Sequence, residues 1–298
     1  MEEKLHKRAI SAWTMYDWAN SAFATTIMAA VLPVYYSSVA AANLPGYEAT
    51  AKWGFTTAIA ALIAALISPV LGAMADFRGS KKRFLTIFMI IGVTATALLY
   101  FVGTGDWLLA SLLFVFGNVG FAGSLVYYDA LLPHVARPDE IDQVSSRGYA
   151  MGYIGGGVLL AVNLVMIMLV PSLFPEAQQG NITGLMTRLS FVTVAIWWFI
   201  FTLPLLRRVS EPARRILPGE AHLNPLQASI GRLVKTFKEI SRYRDLATFL
   251  LAFWIYTNGI GTIITMATIY GAEIGISQTT LIGTLLMVQF LAAPFAIG

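Results

Sequence analysis

The residues able to do chemistry in this 298-residue sequence sit inside stretches that are otherwise apolar. Asp17 and Asn20 fall at i and i+3, so a helix places them on one face. Asn118 and Asp129 are eleven residues apart, close to three helical turns, and share a face too. Trp254, Asn258, Thr262 and Thr265 repeat the pattern further along. Ionisable and amide groups inside a membrane span are expensive and usually face a cavity or a partner. A carboxylate in such a cavity can take a proton or a cationic group, and an amide can hydrogen-bond a solute. Structural alternatives stay open beside these. Asp17 can be a static helix-end partner for a loop arginine, Asp129 a purely structural group, and Asn118 and Asn258 interhelical hydrogen bonds.

Enzymatic motifs are scarce. Cysteine is absent, and no H-E-x-x-H, phosphate loop or nucleophile elbow occurs. Gly103-Thr104-Gly105-Asp106 matches the G-x-G-D of intramembrane aspartyl proteases, with Tyr16-Asp17 or Tyr128-Asp129 as partner. Two such carboxylates must share one proton side by side. Asp106 falls in a short turn at the opposite membrane face from Asp17 and Asp129, so this reading is set aside. The sequence is read as a non-enzyme with no metal site and no cofactor, leaving a proton or sodium ion as coupling partner.

The elements that must position these residues follow from composition. Apolar residues make up 57% and charged residues 12%, with mean hydropathy +0.69. A soluble chain has roughly a quarter of its residues charged. A membrane helix needs about 20 mostly apolar residues, and helix satisfies every backbone group in lipid. The runs 12–40, 53–75, 84–102, 107–132, 148–170, 185–206, 246–270 and 280–298 predict eight spans, the last cut short in an apolar stretch. With a cytoplasmic amino terminus, the inner segments 1–11, 76–83, 133–147 and 207–245 carry 18 of the 20 Lys and Arg. The positive-inside rule therefore orients the chain in a cytoplasmic (inner) membrane with its amino terminus inside. This placement explains the net charge of +4 without nucleic acid.

Three regions result: a six-helix transmembrane half over 1–206, a basic cytoplasmic linker over 207–245, and the start of a second transmembrane half over 246–298. Within the linker Ile230, Leu233, Val234, Phe237 and Ile240 recur at helical spacing opposite Arg232, Lys235, Lys238 and Arg242. That pattern predicts an amphipathic helix on the anionic cytoplasmic leaflet, with a solvated linker as the alternative. In the fifth span Gly148, Gly152, Gly155, Gly156 and Gly157 let a neighbouring helix approach closely.

The stretch Leu71-Gly72-Ala73-Met74-Ala75-Asp76-Phe77-Arg78-Gly79-Ser80-Lys81-Lys82-Arg83 resembles the loop signature of the major facilitator superfamily, a glycine followed by D-R-x-G-R-K. Gly72, Asp76, Gly79 and Lys81 match, while Phe77 and Ser80 replace the usual arginines. Tyr16-Asp17-Trp18-Ala19-Asn20, Ser145-Ser146-Arg147-Gly148-Tyr149 and Ile255-Tyr256-Thr257-Asn258-Gly259 look like the vacuole-effluxer-like branch, bacterial relatives of a yeast vacuolar amino-acid exporter. The resemblance implies an all-α, major-facilitator-like bundle with about twelve helices when whole, of which this chain holds the first six-helix half and about two helices of the next. It also implies alternating access, with spans one, four and seven lining the path.

The expected function is secondary transport of a small solute, an amino acid or similar metabolite, in the direction of export, by a monomer. Asp17, Asn20, Asn118, Trp254, Asn258 and Thr262 are the expected solute or proton path. Asp129 paired with Arg147, or with a basic residue of the 78–83 loop, is the expected cytoplasmic gate. A non-transporting receptor or assembly protein on the same fold is the rival reading.

Overall fold

The computed structural model describes residues 2–212, 225–240 and 242–296, and every regular element among them is helical. The first span is one continuous run built from four pieces. Helix α1 (Glu2–Ala22) passes into a π-helical stretch (Phe23–Ala30), then α2 (Val31–Tyr35), then a second π-helical stretch (Tyr36–Ala40). Helices α3 (Gly46–Arg78), α4 (Lys81–Leu98), α5 (Trp107–Val135), α6 (Ile141–Ser172) and α7 (Glu176–Arg208) follow. After them come α8 (Pro225–Ile240), α9 (Arg244–Glu273) and α10 (Gln278–Phe295). Seven of the helical runs are long and apolar enough to cross a membrane, and 279–295 is a shorter apolar helix. The chain is a multi-pass membrane protein. The helices extend past the apolar runs read from sequence because polar residues outside lipid continue the same backbone hydrogen bonds.

The first span is the hub. Its most apolar window is 72% buried, against 6% for the corresponding window of α9. Tyr16, Phe23, Ile27 and Tyr36 on this span are fully enclosed, with Trp53, Phe114, Tyr127, Tyr128, Phe191 and Trp198 from its neighbours. Close approach is made possible by small residues. A Cβ on Gly155 would lie 2.6 Å from the backbone oxygen of Trp18, and one on Gly152 would lie 2.6 Å from Ser21 Oγ. Thus the glycine face of α6 is pressed against α1. Gly92 of α4 and Gly120 of α5 make the same kind of contact, backbone to backbone.

Pro33 interrupts the first span. Proline has no amide to offer the carbonyl four residues back, and its ring crowds that carbonyl. That carbonyl belongs to Ala29, and Thr268 Oγ1 of α9 donates to it at 2.6 Å. Trp53 Nε1 donates to Thr265 O at 2.9 Å beside it. The first span, α3 and the later part of α9 are therefore joined in the half of the membrane away from the amino terminus.

The 71–83 stretch ends α3 and opens α4. Gly79 takes a left-handed conformation (φ 57°) at the helix end, which glycine adopts without steric cost. Buried Lys81 donates from Nζ to Ala130 O at 2.8 Å, placing a cation at the negative end of α5. Lys82 Nζ donates to Val209 O at 2.6 Å, just past α7. Gly72 faces Val126 of α5 at ordinary contact distance. Asp76 has its backbone in α3, and its side chain lies outside the described residues.

In the 207–245 region α8 packs on α3 and touches α9, with Ile230 and Val234 half exposed. Arg242 lies beyond α8, in the turn that leads to α9. The side chains of Arg232 and Phe237 lie outside the described residues.

Candidate functional site

A cavity of about 420 Å³ lies among the first span, α5, α6 and α10. From the first span it takes Trp13, Asp17, Asn20, Ser21 and Thr25. From α5 come Phe121, Tyr128 and Asp129, and from α6 Ser145, Tyr149 and Tyr153. Ile264 of α9 and Gln289 of α10 complete it. Apart from Ile264, these positions lie on the halves of the helices that approach the amino-terminal face. A smaller cavity of about 170 Å³, lined by Val31, Leu164, Ile167 and neighbouring residues, has no ionisable group in its lining.

Asp17 is the most elaborately held group in the larger cavity. Tyr128 Oη donates to Asp17 Oδ2 at 2.8 Å. Tyr128 is itself fixed by stacking on Trp13, with ring centroids 4.2 Å apart and planes 12° apart. Trp13 Nε1 closes the set by donating to Tyr128 O at 3.1 Å. A Cβ on Gly148 would lie 2.6 Å from Asp17 Oδ2, so only glycine leaves room for the carboxylate there. Asn20 is 1% exposed, and its Nδ2 has no hydrogen-bond partner among the described residues. A buried amide N–H without a partner is costly, so it marks a place where another group can bind.

The structure brings Asp17, Asn20 and Asp129 together in one cavity. It does not bring the other expected residues there. Asn118 is buried in helix packing, outside the lining. Arg147 is exposed, and among the described residues Asp129 makes no ion pair; the side chain of Arg78, on the loop that is its other expected partner, lies outside them. Residue 147 opens outward because Gly148, beside it, is the position turned onto α1. Trp254, Asn258 and Thr262 are exposed, and Asn258 Nδ2 and Thr262 Oγ1 donate to backbone carbonyls of their own helix. Thr265, further along the same helix, is buried. From Thr248 to Ile260 every residue of α9 is exposed, and the helix meets α3 and the first span through Thr265 and Thr268 of its later part.

Trp13, Tyr128, Ser145, Tyr149, Tyr153 and Gln289 were missed as lining residues. Two had a signal. Tyr-Asp occurs at both Tyr16-Asp17 and Tyr128-Asp129, and Gln289 is a lone amide in an apolar span. Asp106 accepts from the Gly103 amide at 2.9 Å at the start of α5. Asp129 lies near the other end of that helix, about 35 Å away along the axis at about 1.5 Å per residue, so no carboxylate dyad forms between them.

A second polar group ties down the amino-terminal face. His6 Nε2 donates to Glu140 Oε2 at 2.7 Å, and Arg137 donates to Glu3 Oε2 at 3.0 Å. Hydrogen bonding from His6, then from the Arg137 amide, holds the Glu140 carboxyl below the usual carboxylate range.

Comparison with known proteins agrees with this architecture. The chain is 38% identical over 288 residues to the uncharacterized MFS-type transporter YxiO of Bacillus subtilis, covering 96% of this chain and 65% of that protein. It is 25% identical to autophagy-related protein 22 of Saccharomyces cerevisiae, covering 81% of this chain and 54% of that one. Among solved structures, the xylose transporter XylE of E. coli in a partially occluded inward-open conformation matches with a TM-score of 0.58 at 15% identity. That match covers 98% of this chain and 70% of XylE, and it shows a shared fold, the major-facilitator helical bundle. A D-xylose-proton symporter matches similarly, with a TM-score of 0.59 at 14% identity, over 97% of this chain and 66% of that one. The chain thus spans about two thirds or less of the curated relatives it matches. The profile described as "Vacuole effluxer Atg22 like" matches residues 48–297, and the chain belongs to that family.

Proposed function

We propose that the protein is a secondary transporter that moves a small solute across the cytoplasmic membrane by alternating access. The cavity around Asp17 is its solute path, its amino terminus is cytoplasmic, and its direction is export. One observation carries this reading. A carboxylate inside an apolar span lines a cavity and is held there by a dedicated tyrosine. A purely structural carboxylate would be enclosed by its partners rather than left on a cavity wall.

Two further features support movement around the cavity. The first span carries π-helical stretches and a proline, both of which weaken a regular helix and recur where helices bend. The first span, α3 and the later part of α9 are joined by Thr268 and Trp53 at the outer limit of the cavity, which extends from Ala29 towards the amino-terminal face. This arrangement fits a state closed to the exterior.

Asp17 is the proposed proton-coupling group. The ionisable groups facing it are Tyr128 and Asp129 on α5 and Tyr149 on α6, with Tyr16 beside it on its own helix. A carboxylate whose surroundings change between two conformations binds its proton differently in each, which links protonation to the switch. The carrier acts as a monomer, and α8 rests on anionic lipid of the cytoplasmic leaflet. Solute flux driven by a pH gradient in liposomes holding the intact protein tests the coupling. Asp17→Asn is expected to leave flux independent of pH. A variant with unchanged pH dependence contradicts the assignment.

A further inference from the structure

The groups around the cavity differ sharply in what they can accept. Asp17 and Asp129 both line it, and neither has an ion-pair partner among the described residues. Asp17 receives one hydrogen bond, from Tyr128, and a carboxylate has about four acceptor sites, so it can take more. The aromatic residues Trp13, Phe121, Tyr149 and Tyr153 line the same cavity, with Trp13 stacked on Tyr128 and Phe121 on Phe23. Aromatic faces attract cations through the ring quadrupole. Buried, unpartnered Asn20 Nδ2 adds a single neutral donor on the same wall.

We propose that this cavity selects a small organic amine that carries a neutral hydrogen-bond acceptor and no free carboxylate. This rests on the reading that the cavity is the solute path. The ammonium group sits against Asp17 and Asp129, with its three N–H donors meeting carboxylate oxygens. A hydroxyl or amide oxygen on the same molecule meets Asn20 Nδ2. A carboxylate on the solute is rejected by like charge, since the described lining residues hold two acidic groups and no Lys, Arg or His. A zwitterionic amino acid therefore matches half of the site and is repelled by the other half.

Three probes with the same branched side chain separate the possibilities: leucinol (ammonium and hydroxyl), leucine (ammonium and carboxylate) and 4-methylpentanoate (carboxylate alone). Binding is measured by titration calorimetry on the intact protein in nanodiscs, and flux of each probe is measured in liposomes. Leucinol is expected to bind at least about tenfold more tightly than leucine, and 4-methylpentanoate to show no saturable binding. Asp17→Asn should weaken leucinol by about tenfold or more, with Asp17→Glu, which keeps the charge, restoring most of it. Leucine binding as tightly as leucinol overturns the proposal, as does leucinol binding that is absent or insensitive to Asp17→Asn in a folded protein. The two readings fail separately. Equal binding and flux of leucine removes the amine selectivity and leaves the carrier standing. Tight leucinol binding without flux of any probe keeps the selectivity and removes the carrier.

Discussion

Gly155 shows how much of this bundle is decided by single atoms. Trp18 O already accepts from Trp197 Nε1 at 3.1 Å, and a Cβ on Gly155 would lie 2.6 Å from the same oxygen. Backbone cannot move aside as a flexible side chain can. Gly155→Ala is therefore expected to lower stability by about 1–3 kcal/mol through overpacking. Gly184 of α7 has open space where its Cβ would stand, so Gly184→Ala should be neutral or stabilising by about 0.5–1 kcal/mol. Thermal unfolding of the two variants in one detergent checks the contrast, and equal effects would contradict the packing account. Asp17 was readable at this scale because a carboxylate in an apolar run is conspicuous. Tyr128 was not readable as its donor. The two are 111 residues apart, and only folding shows that they meet.

At the scale of elements, the first span and α9 are joined through a defect. Pro33 leaves Ala29 O without its usual amide, and Thr268 supplies the missing donor. Thr268→Val should cost about 1–3 kcal/mol, the penalty for a buried carbonyl left unpaired. Pro33→Ala restores an amide, so the double variant Pro33→Ala/Thr268→Val should lose less than the two single effects summed. A strictly additive double-mutant cycle would show that the two residues are unconnected. The start of α1 has its own tether in Glu140. Its carboxyl titrates below the usual range because His6, followed by the Arg137 amide, hydrogen-bonds its charged form. A lowered carboxylate value means that the tether is fully present above the usual carboxylate range and is lost as pH falls through the folded value. Amide exchange over the first turns of α1 should therefore quicken at acid pH in the native protein. In Glu140→Gln it should already be quick at neutral pH. Exchange that ignores both changes would remove the tether. The apolar runs made the spans legible, since length and hydropathy alone mark them. The exposure of the first half of α9 was not legible, because what covers a helix depends on its neighbours and a polar stripe reports only periodicity.

For the whole molecule, the sequence carried the fold class, the span list and the pairing of Asp17 and Asn20 on one wall. Asp129 reaches the same cavity, but makes no ion pair among the described residues. The difference is physical. Periodicity along one helix is local, whereas ion pairs and cavity walls depend on how several helices are turned against one another. The central claim is that one cavity opens alternately to the two sides of the membrane. The chain holds no cysteine, so a single introduced thiol reports cleanly. Ala24 lines the cavity one turn past Asn20. Ala24→Cys in oriented vesicles, challenged from each side with a membrane-impermeant maleimide, tests the claim directly. Labelling should come from the cytoplasmic side at rest and shift to the exterior side when an opposing pH or solute gradient drives the carrier. Labelling confined to one side under every gradient would contradict alternating access through this cavity.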